Sequence, residues 1–185
     1  VLQILGMLEN FDLPQLGSGS PESWHLIGEA MQLAYADRAA YLGDPGFVYV
    51  PVDGLLNKDY LKNRAALIKP DSALGTYEAG TPPEAEPRTE APSSEVPGTT
   101  NFVAVDKDGN VVTMTSTIEG PFGSQLMAAG FFLNNELTDF TFAPMKDGKP
   151  VANAVKGGKR PVSSMSPTIV FDSQGRPVLA LGSAG

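Results

Sequence analysis

The sequence predicts an α/β (α+β) chain with helices first and strands after, on three observations. Apolar residues recur at helical spacing up to about residue 68, a proline- and glutamate-rich stretch occupies about 70–98, and period-two alternation takes over beyond it. Leu2, Leu5 and Leu8 place a first helix over 1–11, broken by Asp12, Pro14 and the Gly-Ser run at 17–20. Ser20 then reads as an N-cap with Pro21 at the first helical position, opening a helix through Leu26, Ile27, Ala30, Met31, Ala34, Tyr35 and Arg38. That helix ends near Leu42, because Gly43-Asp44-Pro45-Gly46 cannot continue it. A further helix is expected over 58–68.

The stretch 70–98 has no sustained period, so a solvated, mobile connector is expected there, with a plain domain linker as the simplest reading. Beyond it, 102–105 and 111–117 alternate around Lys107-Asp108-Gly109-Asn110, which predicts a β-hairpin. Further strands are expected at 130–133, 167–171 and 178–181.

Composition narrows the function. A net charge of -8 repels phosphate backbones, so no nucleic-acid partner is expected. No apolar run approaches the ~20 residues of a membrane-spanning helix, so no membrane segment is expected. Cysteine is absent, which removes disulfides, thiolate nucleophiles and cysteine-based zinc sites. The single histidine, His25, falls in the long helix and reads as an ordinary helix residue, so any catalytic base lies elsewhere.

Directly after the connector stands Gly98-Thr99-Thr100-Asn101-Phe102, a hydroxyl residue at the head of a strand behind a glycine. Attack by Thr99 on its own preceding carbonyl would cut the chain at Gly98-Thr99 and free the Thr99 amine. A free α-amine has a pKa of about 7.7–8.0, so a useful fraction is neutral at physiological pH and can take the proton of the adjacent hydroxyl. One residue then supplies nucleophile and base. Thr117 lies on the hairpin partner of the Thr99 strand, where its hydroxyl can orient the nucleophile or serve simply as a strand-forming threonine.

The chain resembles the γ-glutamyltransferase family of N-terminal-nucleophile hydrolases. The resemblance is carried in order by Tyr35-Ala36-Asp37-Arg38, Tyr41-Leu42-Gly43-Asp44-Pro45, Thr99-Thr100 and Val105-Asp106-Lys107-Asp108-Gly109-Asn110. It continues through Leu133-Asn134-Asn135-Glu136-Leu137-Thr138-Asp139-Phe140, the run Arg160-Pro161-Val162-Ser163-Ser164-Met165-Ser166-Pro167-Thr168, and Gly182-Ser183-Ala184-Gly185. It implies a four-layer αββα fold, incomplete at both ends, and an internal fragment spanning a self-cleavage site. On that reading 1–98 is the end of a large subunit and 99–185 the start of a small catalytic one, the two forming a heterodimer from one precursor.

The resemblance also implies a reaction. Thr99 attacks a γ-glutamyl amide such as glutathione, and the acyl-enzyme passes its glutamyl group to water or to an amino acid or peptide amine, with no metal or organic cofactor. Thr117 orients the nucleophile. Asp139, with Glu119 and Glu136, holds the donor's α-ammonium, a task suited to charge-assisted hydrogen bonds. Ser163 and Ser164 hold its α-carboxylate, and Gly185 supplies a backbone N–H to the oxyanion hole.

Some positions depart from the family pattern: Asn101 stands where histidine is frequent, and Glu119 and Glu136 where amide-type residues are. The stretch between Asp139 and Ser163 is shorter than in members with a lid loop, so an open pocket admitting larger, even polymeric, donors is expected. Arg38 and Arg160 read as structural ion-pair residues. A cephalosporin or glutaryl acylase of the same superfamily, and an uncleaved homologue acting as a binding protein, are the alternative readings. A periplasmic or extracellular location is implied by the resemblance alone.

Overall fold

The computed structural model describes residues 1–91 and 98–183. The described residues form five helices, α1 (Leu2–Leu8), α2 (Leu13–Leu16), α3 (Pro21–Tyr41), α4 (Val52–Leu55) and α5 (Lys58–Ala65). They also form eight strands, β1 (Thr99–Val105), β2 (Val111–Thr117), β3 (Met127–Ala128), β4 (Phe131–Phe132), β5 (Met145–Lys146), β6 (Lys149–Pro150), β7 (Thr168–Phe171) and β8 (Pro177–Leu181). The strands pair only as antiparallel hairpins, β1-β2, β3-β4, β5-β6 and β7-β8. Helices and sheets are both present, as the α+β reading requires.

The chain divides into two compact units. The first is Val1–Ser93 with Thr141–Arg160, the second Ser94–Phe140 with Pro161–Gly185. The expected cleavage point and the packing boundary therefore differ, because 141–160 packs with the helices.

In the first unit α3 is the spine. The Ser20 hydroxyl accepts from Ser23 N, and Pro21 sits at the helix start, where its missing N–H costs nothing. Met7 and Leu8 from α1, Leu26, Ala30, Leu33 and Ala34 from α3, and Leu61 and Ala65 from α5 close a core. Burial on this scale stabilises by roughly 25 cal/mol per Å² of apolar surface. A Cβ on Gly6 would overlap Leu61, so α1 and α5 are as close as glycine allows.

Two carboxylates lie inside this apolar face of α3, Glu29 (4% exposed) and Asp37 (fully buried). Buried charge is tolerated only with hydrogen-bonding partners, and the proline- and glutamate-rich stretch supplies them together with α5. Glu29 accepts from Leu74 N at 3.1 Å and from the Tyr77 hydroxyl at 2.6 Å. Asp37 accepts from Gly80 N and the Tyr60 hydroxyl, both at 2.8 Å, and pairs with Arg64 at 3.1 Å. Arg64 in turn donates to the carbonyls of Leu33 and Glu78. Further on, Pro82 is fully buried and Ala91 N donates to Ala39 O.

Over 70–91 the stretch stays largely exposed, as expected of a solvated connector, but Leu74, Tyr77 and Gly80 tie it to Glu29 and Asp37. Those residues form a strap docked along α3, because two helix carboxylates need its donors. The rest of that expectation, over 92–97, lies outside the described residues.

In the second unit the β1-β2 hairpin forms as predicted. Asp106 closes its turn, accepting from the N–H groups of Asp108 and Asn110, with Gly109 at φ 83°. The Asn110 side-chain amide, which donates to it at 2.7 Å, and then these backbone bonds hold the Asp106 carboxyl below its ordinary range. The strand expected at 130–133 is shorter, Phe131–Phe132, and its partner β3 is reached through Ala129 and Gly130, both at positive φ.

Candidate active site

The register of β1 and β2 places Thr99 directly opposite Thr117, and Asn101 opposite Thr115. Directly opposed residues share a face of the sheet, so Thr99 and Asn101 lie on one face with Thr113, Thr115 and Thr117. That polar face is half-buried, while the opposite face, with Phe102, Val112 and Met114, is exposed. The hairpin thus half-covers Thr99, Thr113, Thr115 and Thr117 and leaves Phe102, Val112 and Met114 bare.

Gly98, immediately before Thr99, has a specific reason to be glycine. A Cβ there would overlap the carbonyl oxygen of Glu119, so the residue before the expected nucleophile is pressed against the backbone at the end of β2. The demand is one of close approach rather than of positive φ. Glu119 itself sits at φ 75°, in the left-handed region, and its N–H donates to the Thr117 hydroxyl at 2.9 Å. Gly120 N donates to the Asn135 side chain at 2.9 Å, and Asn135 N to Ile118 O at 3.3 Å. Those bonds pin the turn after β2 onto the segment that carries Glu136 and Asp139.

The result is a carboxylate cluster. Glu136 and Asp139 lie on one short 3-10 turn, Glu136–Asp139, and their carboxyl oxygens lie with those of Glu119 within 4.8 Å of one another. Glu119 is 7% exposed and Asp139 9%. Burial pushes the Glu136 carboxyl above its ordinary value and the Glu119 charge adds to that, while a hydrogen bond with Asp139 opposes them. Three partly desolvated carboxyl groups at this spacing present the donor set that one cation, an ammonium group or a metal ion, could take.

Through Glu119 the cluster is contiguous with the threonine pair: its backbone touches Thr117 by a hydrogen bond and Gly98 by close approach. Five expected site residues, with Gly98, therefore come together. Ser163 and Ser164 lie in the same compact unit, in the irregular segment before β7, and both are exposed. There the Ser163 hydroxyl accepts from Met165 N at 3.3 Å, a turn bond. Gly185 lies outside the described residues.

The other singled-out residues belong to the helical unit. His25 lies on α3 with Nε2 2.8 Å from the Lys69 carbonyl, so its proton sits on Nε2 and the ring ties the helix to the start of the strap. Arg160 holds Asp44 through its backbone N–H at 2.9 Å and its guanidinium at 3.4 Å, and those bonds lower the Asp44 carboxyl to about 2. Arg38 sits over the Tyr35 ring, 5.6 Å from its centroid. Among the described residues no helix is long and apolar enough to cross a membrane.

Two features escaped sequence reasoning. The close approach of Gly98 to Glu119 has no signal along the chain, since it depends on the turn after β2. The Glu29 and Asp37 network did have one, because both residues fall in the buried stripe that contains Leu26 and Leu33.

Comparison with known proteins identifies the family. The family model described as gamma-glutamyltranspeptidase matches residues 1–185. The chain is 45% identical over 194 residues to the glutathione hydrolase proenzyme of Bacillus subtilis (strain 168) and 43% identical over 195 residues to that of Escherichia coli (strain K12). In both cases all of this chain is covered and 32% of the relative, so it spans about a third of their length. It is also 36% identical, over 187 residues, to the acylase ACY 1 proenzyme of Pseudomonas sp. (strain SE83), covering 100% of this chain and 30% of that protein. Among solved structures, a cephalosporin acylase from Bacillus halodurans superposes with a TM-score of 0.77 at 26% identity, over 97% of this chain and 29% of that one. With the family model matching along its whole length and relatives more than 40% identical over all of it, the chain belongs to the gamma-glutamyltranspeptidase family.

Proposed function

We propose that this chain carries the cleavage site and much of the donor site of a self-processing γ-glutamyl transferase and glutathione hydrolase. The observation that carries the reading is the adjacency of Thr99, Thr117 and the three carboxyl groups. In the precursor, the Thr99 hydroxyl attacks the Gly98 carbonyl. The Gly98–Thr99 C–N bond breaks as the ester forms, which frees the Thr99 amine, and water then hydrolyses the ester to a Gly98 carboxylate and the free Thr99 hydroxyl. The chain then divides into a large and a small subunit at 98/99, held together as a heterodimer.

In turnover the Thr99 amine takes the proton of its own hydroxyl as the oxygen attacks the γ-carbonyl of the donor. Thr117 orients that hydroxyl. The proton passes to the departing amine, leaving a γ-glutamyl ester on Thr99. Water or an amino acid or peptide amine then attacks the ester and regenerates the hydroxyl. Glu119, Glu136 and Asp139 receive the donor's α-ammonium, Ser163 and Ser164 its α-carboxylate, and Gly185 the developing oxyanion.

The exposed Phe102, Val112 and Met114 face is what a four-layer αββα fold of the whole protein would cover with a further layer. A periplasmic or extracellular location is part of the same proposal.

A second reading, an acylase that accepts glutaryl or cephalosporin side chains, is favoured by the acylase relative and the acylase superposition. The α-ammonium separates the two. The full-length protein is assayed with γ-glutamyl and glutaryl p-nitroanilides, which differ only in that ammonium group. The proposal predicts preference for the γ-glutamyl compound, lost in Asp139→Asn. Equal or better turnover of the glutaryl compound, unaffected by that change, selects the acylase.

A further inference from the structure

Asn101 stands two residues from Thr99 on the same face of β1, and its amide ties that strand to the chain leaving β8. Its Nδ2 donates to the Thr115 hydroxyl at 2.8 Å and to the Met114 carbonyl at 3.1 Å, and lies 3.4 Å from the Thr113 hydroxyl. Thr113 in turn donates to the Leu181 carbonyl at 3.2 Å, at the last residue of β8. The amide also lies close against the next residue: a Cβ on Gly182 would overlap Nδ2 and come within 2.6 Å of Cγ. Asn101 thus grips the exit of β8 twice, by a relay through Thr113 and by direct contact with a glycine that has room for nothing else.

We propose that Asn101 is a positioning residue, one that sets the strand bearing the nucleophile against Leu181 and Gly182, where the chain leaves β8 three residues before Gly185 in sequence. This rests on the reading of Thr99 and Gly185 under Proposed function. A nucleophile and an oxyanion donor work only when their separation is held to within a fraction of an ångström, and misplacement of about 1 Å costs roughly a hundredfold in rate. The amide qualifies on two counts. It donates to acceptors across β2, and it is compact enough to sit at the Cβ position that Gly182 leaves empty. Aspartate keeps the shape and loses the donor, so its oxygens would face the Thr115 hydroxyl and the Met114 carbonyl. Histidine places Nδ1 where asparagine places Nδ2, and keeps both the plane and a donor.

The test uses the full-length protein with γ-glutamyl p-nitroanilide, together with hydrogen exchange of the peptide covering 178–183. Asn101→Ala and Asn101→Asp are expected to lower kcat by about ten- to a hundredfold with KM within about twofold, and to speed exchange at 181–183. Asn101→His is expected to restore kcat to within about threefold of the parent and to restore protection. Gly182→Ala should cost much less in the Asn101→Ala background than alone, because the overlap is with the amide. Unchanged kcat and exchange in both Asn101→Ala and Asn101→Asp would overturn the inference. If the parent protein neither cleaves nor turns over the donor, the functional reading fails separately. Exchange alone then decides: faster exchange at 181–183 in both variants sustains the contact, and unchanged exchange removes it.

Discussion

The helical and strand-rich units treat buried carboxylates in opposite ways. In the first, Asp37 and Glu29 are surrounded by donors: backbone N–H groups, tyrosine hydroxyls and the Arg64 guanidinium. In the second, Glu119, Glu136 and Asp139 face one another. A carboxylate closed in by donors serves the fold, whereas three carboxylates whose oxygens converge within reach of one cation are, on the function proposed above, the receptor of the donor's ammonium. Apolar side chains show the same contrast. Met7 and Leu33 are fully buried in the helical unit, while Phe131 is 73% exposed and Phe102 49% in the other. The helical unit has closed its core and the strand unit has not.

The largest effect expected from this contrast is on stability. Asp37→Ala removes one partner of a buried ion pair and leaves the Arg64 charge uncompensated, which should destabilise the full-length protein by about 3–5 kcal/mol. Urea unfolding measures it, and a loss under about 1 kcal/mol would break the comparison. Asp139→Asn should do the reverse: stability changes by less than about 0.5 kcal/mol, while kcat/KM for a γ-glutamyl donor falls by about ten- to a hundredfold as a charge-assisted contact is lost.

What could be read from the sequence follows from how local each cause is. Ser20 and Pro21 start α3, Asp106 to Asn110 close the hairpin, and a threonine at the head of a strand facing Thr117 follows from hairpin register. All are settled within a few residues along the chain. The docked strap was missed because proline and glutamate content describes local preference, whereas Gly80 and Leu74 are held by carboxylates 43 and 45 residues away. The short hairpin β5-β6 was missed for another reason: two-residue strands carry no period to detect. Glu119, Glu136 and Asp139 came from the family pattern, and nothing in their spacing showed that their carboxyl groups converge.

A moderate effect concerns Glu136. Its folded pKa is raised, so its contribution to stability is fully present below its ordinary value of 4.5 and is lost as pH rises through the folded value. Glu136→Gln should abolish that decline, and Glu119→Gln should lessen it by removing a neighbouring charge. Denaturant titrations across this range, with the Glu136 carboxyl followed by NMR, check the sign. A rise in stability across the same window would contradict it.

The smallest effect belongs to the helical unit. Asp44 is depressed to about 2, so its contribution is present above its ordinary value of 3.8 and is lost only as pH falls through about 2. Arg160→Gln should move that loss up toward the ordinary carboxylate range, readable as the acid midpoint of unfolding.

The central claim is that Thr99 becomes the first residue of a catalytic chain. The most direct test is intact mass, with N-terminal sequencing, of the full-length protein and its Thr99→Ala variant after incubation at neutral pH. Two chains in the parent, the smaller beginning at Thr99, and one uncut chain in the variant are the predicted result. A single uncut chain in both would contradict it and favour an uncleaved binding protein built on the same fold.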